Sequence, residues 1–311
     1  MGQSNESLVG VIVPCFNQGR FVVDCIGSLH SQTYTNWRAV VIDDASTDGV
    51  SGSICETTAS EKVKVVRLER NLGRALVRNE AVRNLGPVDY LLNVDGDDKL
   101  SPGYIEQLVA VLDANANAGL AYGLLHYFGD ASDASADKTW PNEPWEPRAM
   151  YLENVIPGPG VMFRQTALAQ TDGWRSEFTK CSGEDYDIWL QVVEAGWEPI
   201  WVKDAKYHYR QHPNSFLASA DIDTQLQVQL NILKLHIGKI RDSIGVQRFL
   251  RRLILPELMR ALKQAEKDRV FALIGPLARL CPAATAWALA KHYSRRFAIR
   301  FRRTVLRQHA S

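Results

Sequence analysis

The chain has 311 residues, of which 46% are hydrophobic and 23% charged, and its formal net charge is +1. That composition belongs to an ordinary globular protein, and it excludes collagen-like, disulfide-scaffold and strongly basic nucleic-acid-coating classes. The near-zero charge conceals an asymmetry: residues 1–221 sum to −12 and residues 222–311 to +13. The expectation is an acidic catalytic or binding body over 1–221 and a basic, mainly helical C-terminal region over 222–311. Five cysteines, an odd number without a CxxC pair, predict buried free thiols in a reducing compartment. The opening MGQSNESLVG has no apolar signal region, so a cytoplasmic location is expected. Its Met-Gly start lacks the Ser or Thr that myristoylation wants at the sixth position, where Glu6 stands. No run of about 20 uninterrupted apolar residues offers a spanning helix.

In chain order, LVGVIVP (8–14) predicts a strand, and RFVVDCIGSLHSQ after it an amphipathic helix. NWRAVVIDDAS (36–46) repeats the pattern of apolar run followed by acids and small residues, and KVKVVRLE (62–69) alternates like a strand. NLGRALVRNEAVRNLG (71–86) reads as a helix with Asn71 as cap and Gly86 as stop. DYLLNVD is the next strand. SPGYIEQLVAVLDAN is the next helix, with Ser101 as cap and Pro102 in the first turn. Strands alternating with helices predict βαβ units and a largely parallel sheet. Residues 129–148 are rich in Asp, Pro and Trp and read as a loop. SGEDYDIWLQVVEAGW (182–197) predicts a helix opening with acids, followed by a strand, EPIWV.

Ligands of such sheets bind beyond the carboxyl ends of the strands. Asp43-Asp44 and the cluster Asp95, Asp97 and Asp98 both fall at those ends. Three adjacent carboxylates repel unless a cation or hydrogen-bond donors compensate them. A solvated turn is one reading. An EF-hand loop fails, because Leu100 sits where its sharp turn needs Gly and Lys99 takes a ligand position. A divalent-cation site serving a phosphorylated ligand fits the chemistry, since Mg²⁺ or Mn²⁺ binds one or two carboxylates plus phosphate oxygens.

VDGDD after an apolar strand resembles the DxD motif of family 2 glycosyltransferases of the GT-A fold. The residues from VGVIVPCFNQGRF to VVIDDASTDG resemble that family's nucleotide-binding opening. NLGRALVRNEAV is similar to its NxGxxxARN segment, with Val77 where the family has Ala. GEDYDIWLQ is similar to its ED motif, and YRQHPNS to its late His-containing segment. The resemblance covers residues 8–216 and implies a Rossmann-like mixed α/β sheet flanked by helices, with a C-terminal helical extension. It also implies an inverting transfer of one sugar from a nucleoside diphosphate, usually UDP, to an acceptor hydroxyl of a saccharide, a lipid-linked carrier or a protein.

The same resemblance assigns roles. Pro14, Asn17 and Asp44 would hold base and ribose, and Arg78 would meet base or phosphate. Asp97, Asp98 and His212 would hold Mn²⁺ or Mg²⁺ against the leaving diphosphate, while Asp95 would orient ribose or a metal-bound water. Asp185, beside Glu184, would be the general base that a weakly acidic sugar hydroxyl needs. Gly158 and Gly160 in IPGPGVMFR would form the floor of the donor-sugar pocket, allowing close backbone approach. Trp140, Trp145 and Trp174 are candidate sugar-stacking rings.

Each role has a plainer counterpart: Asp44 as a turn or helix cap, Arg78 as a solvated cation, and Glu184-Asp185 as acids favouring a helix N-terminus by about 0.3–1 kcal/mol. The QxxRW segment of processive members is missing; QVVEAGW stands in its place. That departure favours single-sugar transfer in the making of a surface polysaccharide, glycolipid or glycoprotein. A haloacid-dehalogenase-type phosphatase would want Thr or Val where Lys99 stands. A nucleotidyltransferase would want a Gly-rich basic loop where CFNQGRF lies. A catalytically silent sugar-nucleotide or glycan-binding module is the rival from a different class. The basic segment KHYSRRFAIRFRRTVLRQ suggests peripheral contact with an anionic membrane at its inner face. Nucleic acid is not an expected partner, because no recognised binding fold accompanies the charge.

Overall fold

A strand whose residues alternate between two buried faces must lie inside a sheet covered on both sides. The strands read from the opening of the sequence have that character in the computed structural model of the chain. It describes residues 6–129, 139–141, 144–147, 149–179, 181, 183–212 and 222–254, with isolated helical positions 256, 278, 279, 282, 286 and 290 beyond. In chain order the strands are β1 (Val9–Cys15), β2 (Trp37–Asp43), β3 (Val63–Arg67), β4 (Tyr90–Asn93) and β5 (Lys99–Leu100). β6 (Ala118–Phe128), β7 (Thr139–Trp140), β8 (Met162–Arg164) and β9 (Glu198–Arg210) follow. The helices are α1 (Gly19–His30), α2 (Ser51–Thr57), α3 (Gly73–Leu85), α4 (Tyr104–Ala114), α5 (Gln165–Leu168) and α6 (Glu184–Glu194).

The strand order is β3-β2-β1-β4-β8-β6-β9-β5, with β7 on β6. The first four are parallel, with Val9 opposite Trp37 and Tyr90. Their crossovers bring the turns after β1, β2 and β4 to one edge. Beyond β4 the sheet is mixed. β8 runs antiparallel to β4 and β6, and β6 pairs with β9 in parallel. One face carries Val9, Val11, Val13, Ala39, Val41, Tyr90 and Leu92. They share a core with Val22, Cys25, Ile26 and Leu29 of α1 and with Ile105, Leu108, Val109 and Leu112 of α4. The other face meets α3, where Gly10 lies against Leu85. Each fully buried Val, Leu or Ile contributes about 1.5–3 kcal/mol, so this double-sided burial outweighs the surface ion pairs.

Two helix starts differ from their sequence patterns. α3 begins at Gly73, and Asn71 donates its side-chain N–H to the Asp44 carbonyl at 3.0 Å instead of capping. The cap comes from the Asp44 carboxylate, which accepts the N–H groups of Leu72 at 2.7 Å and Gly73 at 3.0 Å. α4 begins at Tyr104, because Ser101 Oγ is drawn to the Lys206 carbonyl at 2.8 Å. The strand predicted over 198–202 runs on to Arg210, since β6 offers it a partner as far as Phe128.

The chain divides into two compact units, Met1–Gln225 and Leu226–Ser311. A helix spans Ile222–Ser243 with a non-helical residue at His236. Val246–Phe249 and a π-helical turn, Leu250–Ile254, follow. Among the described residues no helix is long and apolar enough to cross a membrane. The basic segment 291–308 lies outside the described residues.

Gly160 ties the two halves of the sheet: its N–H donates to the Asn93 carbonyl at 2.7 Å and its carbonyl accepts the Tyr104 hydroxyl at 2.5 Å. Its φ is +79°, and a Cβ there would lie 2.5 Å from Tyr207 Cδ2 and 2.7 Å from Tyr104 Oη. Gly160→Ala should therefore cost about 1–2 kcal/mol of left-handed strain and about 1–3 kcal/mol of overpacking. Urea unfolding should show a lower midpoint at unchanged slope; an unchanged midpoint would contradict this account.

Candidate active site

The edge that the topology creates is lined by three turns, and side chains stitch them together. After β1, Asn17 adopts φ +55°, which Asn tolerates better than most residues. Its side-chain carbonyl accepts the N–H groups of Thr47 at 2.8 Å and Asp48 at 3.2 Å, and its own N–H donates to Ser46 Oγ at 2.9 Å. Pro14 lies in β1 with its carbonyl close to Gly96 of the acid turn; a Cβ on Gly96 would lie 2.9 Å from it. Asp44 is buried, with both carboxylate oxygens on the start of α3. Burial raises its pKa against those two hydrogen bonds, and Asp43 adds to the rise.

The acid turn follows β4. One oxygen each from Asp95, Asp97 and Asp98 can come within 4.8 Å of one another. Asp98 is 1% exposed. One of its oxygens accepts the Tyr207 hydroxyl at 2.8 Å and the other the Arg210 N–H at 2.7 Å. Tyr207 Oη in turn accepts the Asp95 N–H at 3.1 Å. Asp97 Oδ2 faces two groups, Gln18 Nε2 at 2.8 Å and His212 Nε2 at 3.0 Å. His212 is 5% exposed, and its Nδ1 has no hydrogen-bond partner. Burial and then Asp95 raise the Asp97 pKa. Burial, then Asp97 and Asp95, raise that of Asp98 well above the carboxylate range.

A second acid group stands at the start of α6, entered through Gly183 at φ +116°. Glu184 is buried; its Oε1 accepts from Arg78 Nη1 at 3.1 Å, and its Oε2 has no partner. Asp185 Oδ1 is buried and unpartnered, and Oδ2 lies so close to Gly158 that a Cβ there would sit 2.5 Å away. Burial pushes the Asp185 pKa up to about 7; Arg78 opposes the rise, while Glu184 and Asp95 add to it.

Arg78 joins the two groups. It is 2% exposed and uses its guanidinium entirely inside the protein. Nε donates to Asn93 Oδ1 at 3.1 Å, Nη1 to the Arg74 carbonyl at 2.8 Å and to Glu184, and Nη2 to Asp95 Oδ1 at 3.0 Å. It is therefore neither a solvated cation nor open to a nucleotide in this state. Asn93 Nδ2 reaches the Gly158 carbonyl at 3.4 Å, so Gly158, Asp95, Arg78, Glu184 and Asp185 form one cluster. Asp97, Asp98 and His212 form its neighbour. Asp44 and Asn17 belong to the adjoining turns.

Three residues of this edge, Tyr207, Asn93 and Gln18, carry contacts that no local pattern announces; they come from strand ends and a turn far apart in sequence. Trp174 is 1% exposed and stacks edge-on to Phe163 at 5.8 Å, so it is a core ring and not a sugar platform. Trp140 packs half-buried against the core on β7, and Trp145 is half-buried. Pro213, Asn214 and Ser215 of the YRQHPNS segment lie outside the described residues.

Residues 10–170 match the model of the family described as glycosyl transferase family 2. A Bacillus subtilis chain named as glycosyltransferase EpsE is 28% identical over 268 residues, which cover 84% of this chain and 94% of that one. An Escherichia coli chain named for colanic acid biosynthesis, WcaA, is 25% identical over 216 residues, covering 65% and 71%. Among solved structures, S. aureus TarS in complex with UDP-GlcNAc superposes with a TM-score of 0.66 at 17% identity. It covers 92% of this chain and 88% of that TarS chain, which comprises residues 1–349. The mannosyltransferase PcManGT from Pyrobaculum calidifontis in complex with GDP-Man and Mn²⁺ gives 0.57 at 17%, covering 94% and 81%. At such identities the likeness is one of fold.

The raised carboxylates have a sign. A group whose folded pKa exceeds its unfolded value stabilises fully below the unfolded pKa and loses that contribution as pH rises through the folded one. With chelator present, melting temperature should fall as pH rises from about 5 to about 7, because folded Asp185 still holds the proton that the unfolded carboxyl has lost, and should level off above about 7.5, once folded Asp185 is ionised too. Asp185→Asn should flatten that slope and raise Tm at pH 8 by about 2 °C or more. A Tm that rises with pH across this window would refute the reading.

Proposed function

The chain belongs to glycosyl transferase family 2, and from that premise we propose that it transfers one sugar, with inversion, from a nucleoside diphosphate to an acceptor hydroxyl. UDP is the first nucleotide to test. The acceptor proposed is a growing surface polysaccharide, glycolipid or glycoprotein; relatives named for colanic and teichuronic acid biosynthesis support the first. The observation that carries the reading is the pairing across one edge of an acid turn with a carboxylate, Asp185, whose Oδ1 is unpartnered and whose pKa stands near 7.

In this reading Asp185 takes the proton of the acceptor hydroxyl as the acceptor oxygen bonds to the anomeric carbon. The bond from that carbon to the diphosphate oxygen breaks, and the nucleoside diphosphate leaves with the electron pair. A base with a pKa near the working pH is both deprotonated often enough and basic enough. Pro14, Asn17 and the Asp44 turn would cradle base and ribose. The backbone at Gly158 and Gly160 would form the floor of the donor-sugar pocket beside Asp185.

The donors at Asp97 and His212, one carboxylate oxygen and one imidazole nitrogen 3.0 Å apart, fit Mn²⁺ or Mg²⁺. Such an ion would supply charge neutralisation on the leaving diphosphate. Asp98 gives both oxygens to β9, so its proposed part is to hold His212 and Asp97 in place. Residues 1–221 would make the catalytic domain and 222–311 a basic appendage.

Donor hydrolysis, measured over a panel of nucleotide sugars with Mn²⁺ or Mg²⁺, tests the core of the reading. Asp97→Ala and Asp185→Asn should each lower kcat/KM by about 10²–10⁴. Wild-type kcat should rise with pH along a limb near pH 7. A protein that bound nucleotide sugars but turned none over would be a silent binding module instead, and one that neither bound nor turned over any would overturn the reading. Normal transfer by Asp185→Asn would remove the base assignment alone.

The basic segment 291–308 is proposed to contact anionic lipid from the cytoplasmic side. Liposome flotation of the full chain against residues 1–290, with and without phosphatidylserine, checks this. Only the full chain should float, and only with the anionic lipid; equal flotation ends the idea.

A further inference from the structure

Arg78 is a buried arginine, 2% exposed, that gives four of its five N–H donors to other groups of the protein. Buried guanidinium groups are costly to place and persist where partners surround them. Here the partners come from four separate pieces of chain. They are the end of β4 through Asn93, the acid turn through Asp95, the first turn of α6 through Glu184, and the carbonyl of Arg74 one turn earlier in α3. Burial opposes the charge on Arg78, but Asp185, Asp95 and Glu184 outweigh it and hold its pKa above the ordinary arginine value.

The geometry fixes which oxygens are used and which are left. Arg78 takes Asp95 Oδ1 and Glu184 Oε1; Glu184 Oε2 and Asp185 Oδ1 remain buried and unpartnered. Asn93, which receives Arg78 Nε, also reaches the Gly158 carbonyl, and Gly158 lies against Asp185 Oδ2. The guanidinium thus sets the spacing between the acid turn and the start of α6 from both ends.

We infer that Arg78 is a positioning residue: it clamps Asp95 to Glu184 and so holds Asp185 across the donor site from the acid turn, and it does not itself bind the nucleotide. A lysine cannot replace it, because one ammonium cannot present donors to Asn93, Asp95 and Glu184 in a fixed plane. The inference rests on the proposed role of Asp185, and the two can fail separately.

The test uses the full chain and UDP with Mn²⁺ as the binding probe, by calorimetry, beside donor hydrolysis with whichever nucleotide sugar the wild type turns over. Arg78→Lys keeps the buried charge and breaks the clamp. It should bind UDP with the wild-type stoichiometry and a Kd within about threefold, while kcat falls by about 10²-fold, the scale on which a misplacement of about 1 Å acts. Glu184→Gln releases the other end with the same shape. It should also lower kcat at unchanged UDP Kd, and it should move the acid limb of kcat to lower pH, since the Glu184 charge is one of the groups raising Asp185. The other charged groups facing Asp185 are Arg78, Asp95 and Arg74. Combined, the two changes should be less than additive, because either one opens the same clamp.

A tenfold or greater loss of UDP affinity in Arg78→Lys would assign Arg78 to the nucleotide and overturn the inference. So would wild-type kcat in either variant. If the wild type itself binds no UDP and hydrolyses no nucleotide sugar, it is the proposed function that fails.

Discussion

Everything at the ligand edge depends on one electrostatic constraint: carboxylates are packed there more closely than charges tolerate. Two ionised groups 4.8 Å apart repel by about 3–4 kcal/mol at an effective dielectric of about 20. A hydrogen bond to a charged group returns about 1.5–3 kcal/mol. One hydrogen bond per acid is therefore insufficient, and the fold supplies further donors, together with the Arg78 cation. Asp98 receives Tyr207 and the Arg210 N–H, Asp97 receives Gln18 and His212, and Asp95 and Glu184 share Arg78. Burial first, and the remaining repulsion after it, raise the pKa values of Asp97, Asp98 and Asp185.

That requirement explains the longer second half of the sheet. Tyr207, Arg210 and His212 reach the acid turn only because β9 continues beside β6 to Phe128 and Arg210. β5, two residues long, pins the acid turn to the same strand by pairing Lys99 with His208. Lys99 and Arg210 then meet at Asp24 of α1, each 3.0 Å from Oδ2. The parallel half delivers the acids, and the mixed half delivers their donors. The likeness to glycosyltransferase structures extends over both halves.

The parallel half was legible because each strand is a short apolar run ending in polar turn residues, a signal carried within about ten residues. β8 was not, since three residues, Met162–Arg164, carry no period of their own; they are a strand because β4 and β6 leave a slot between them. The caps misled for a related reason. Asn71 and Ser101 have the right chemistry at the right place, but the Asp44 and Lys206 carbonyls compete for them. Of the site, the acids were legible as residue types. Their division of labour was not, because it is set by Tyr207, Arg210 and Gln18, which stand far from the acid turn in sequence, and by Asn93, whose link to Arg78 no local pattern announces.

The count of partners separates five carboxylates that look alike in sequence. Asp98 has both oxygens satisfied, which makes it a bracket for β9. Asp97 has one oxygen shared between a neutral amide and an imidazole, an arrangement that an incoming cation can take over without leaving an anion unpaired. Asp95 and Glu184 each give one oxygen to Arg78. Asp185 has a buried oxygen with no donor at all, and its other oxygen lies so close to Gly158 that a Cβ there would sit 2.5 Å away. An anion kept without a hydrogen bond in a buried position is a stability cost that packing alone does not require. Evolution removes such costs easily where nothing needs them, since Asp→Asn or Asp→Leu would relieve this one. The group left most in need of a proton is thus the one best able to accept it from a substrate hydroxyl. Arg78, by lowering the Asp185 pKa while burial raises it, keeps that need within the range where the group is ionised at neutral pH.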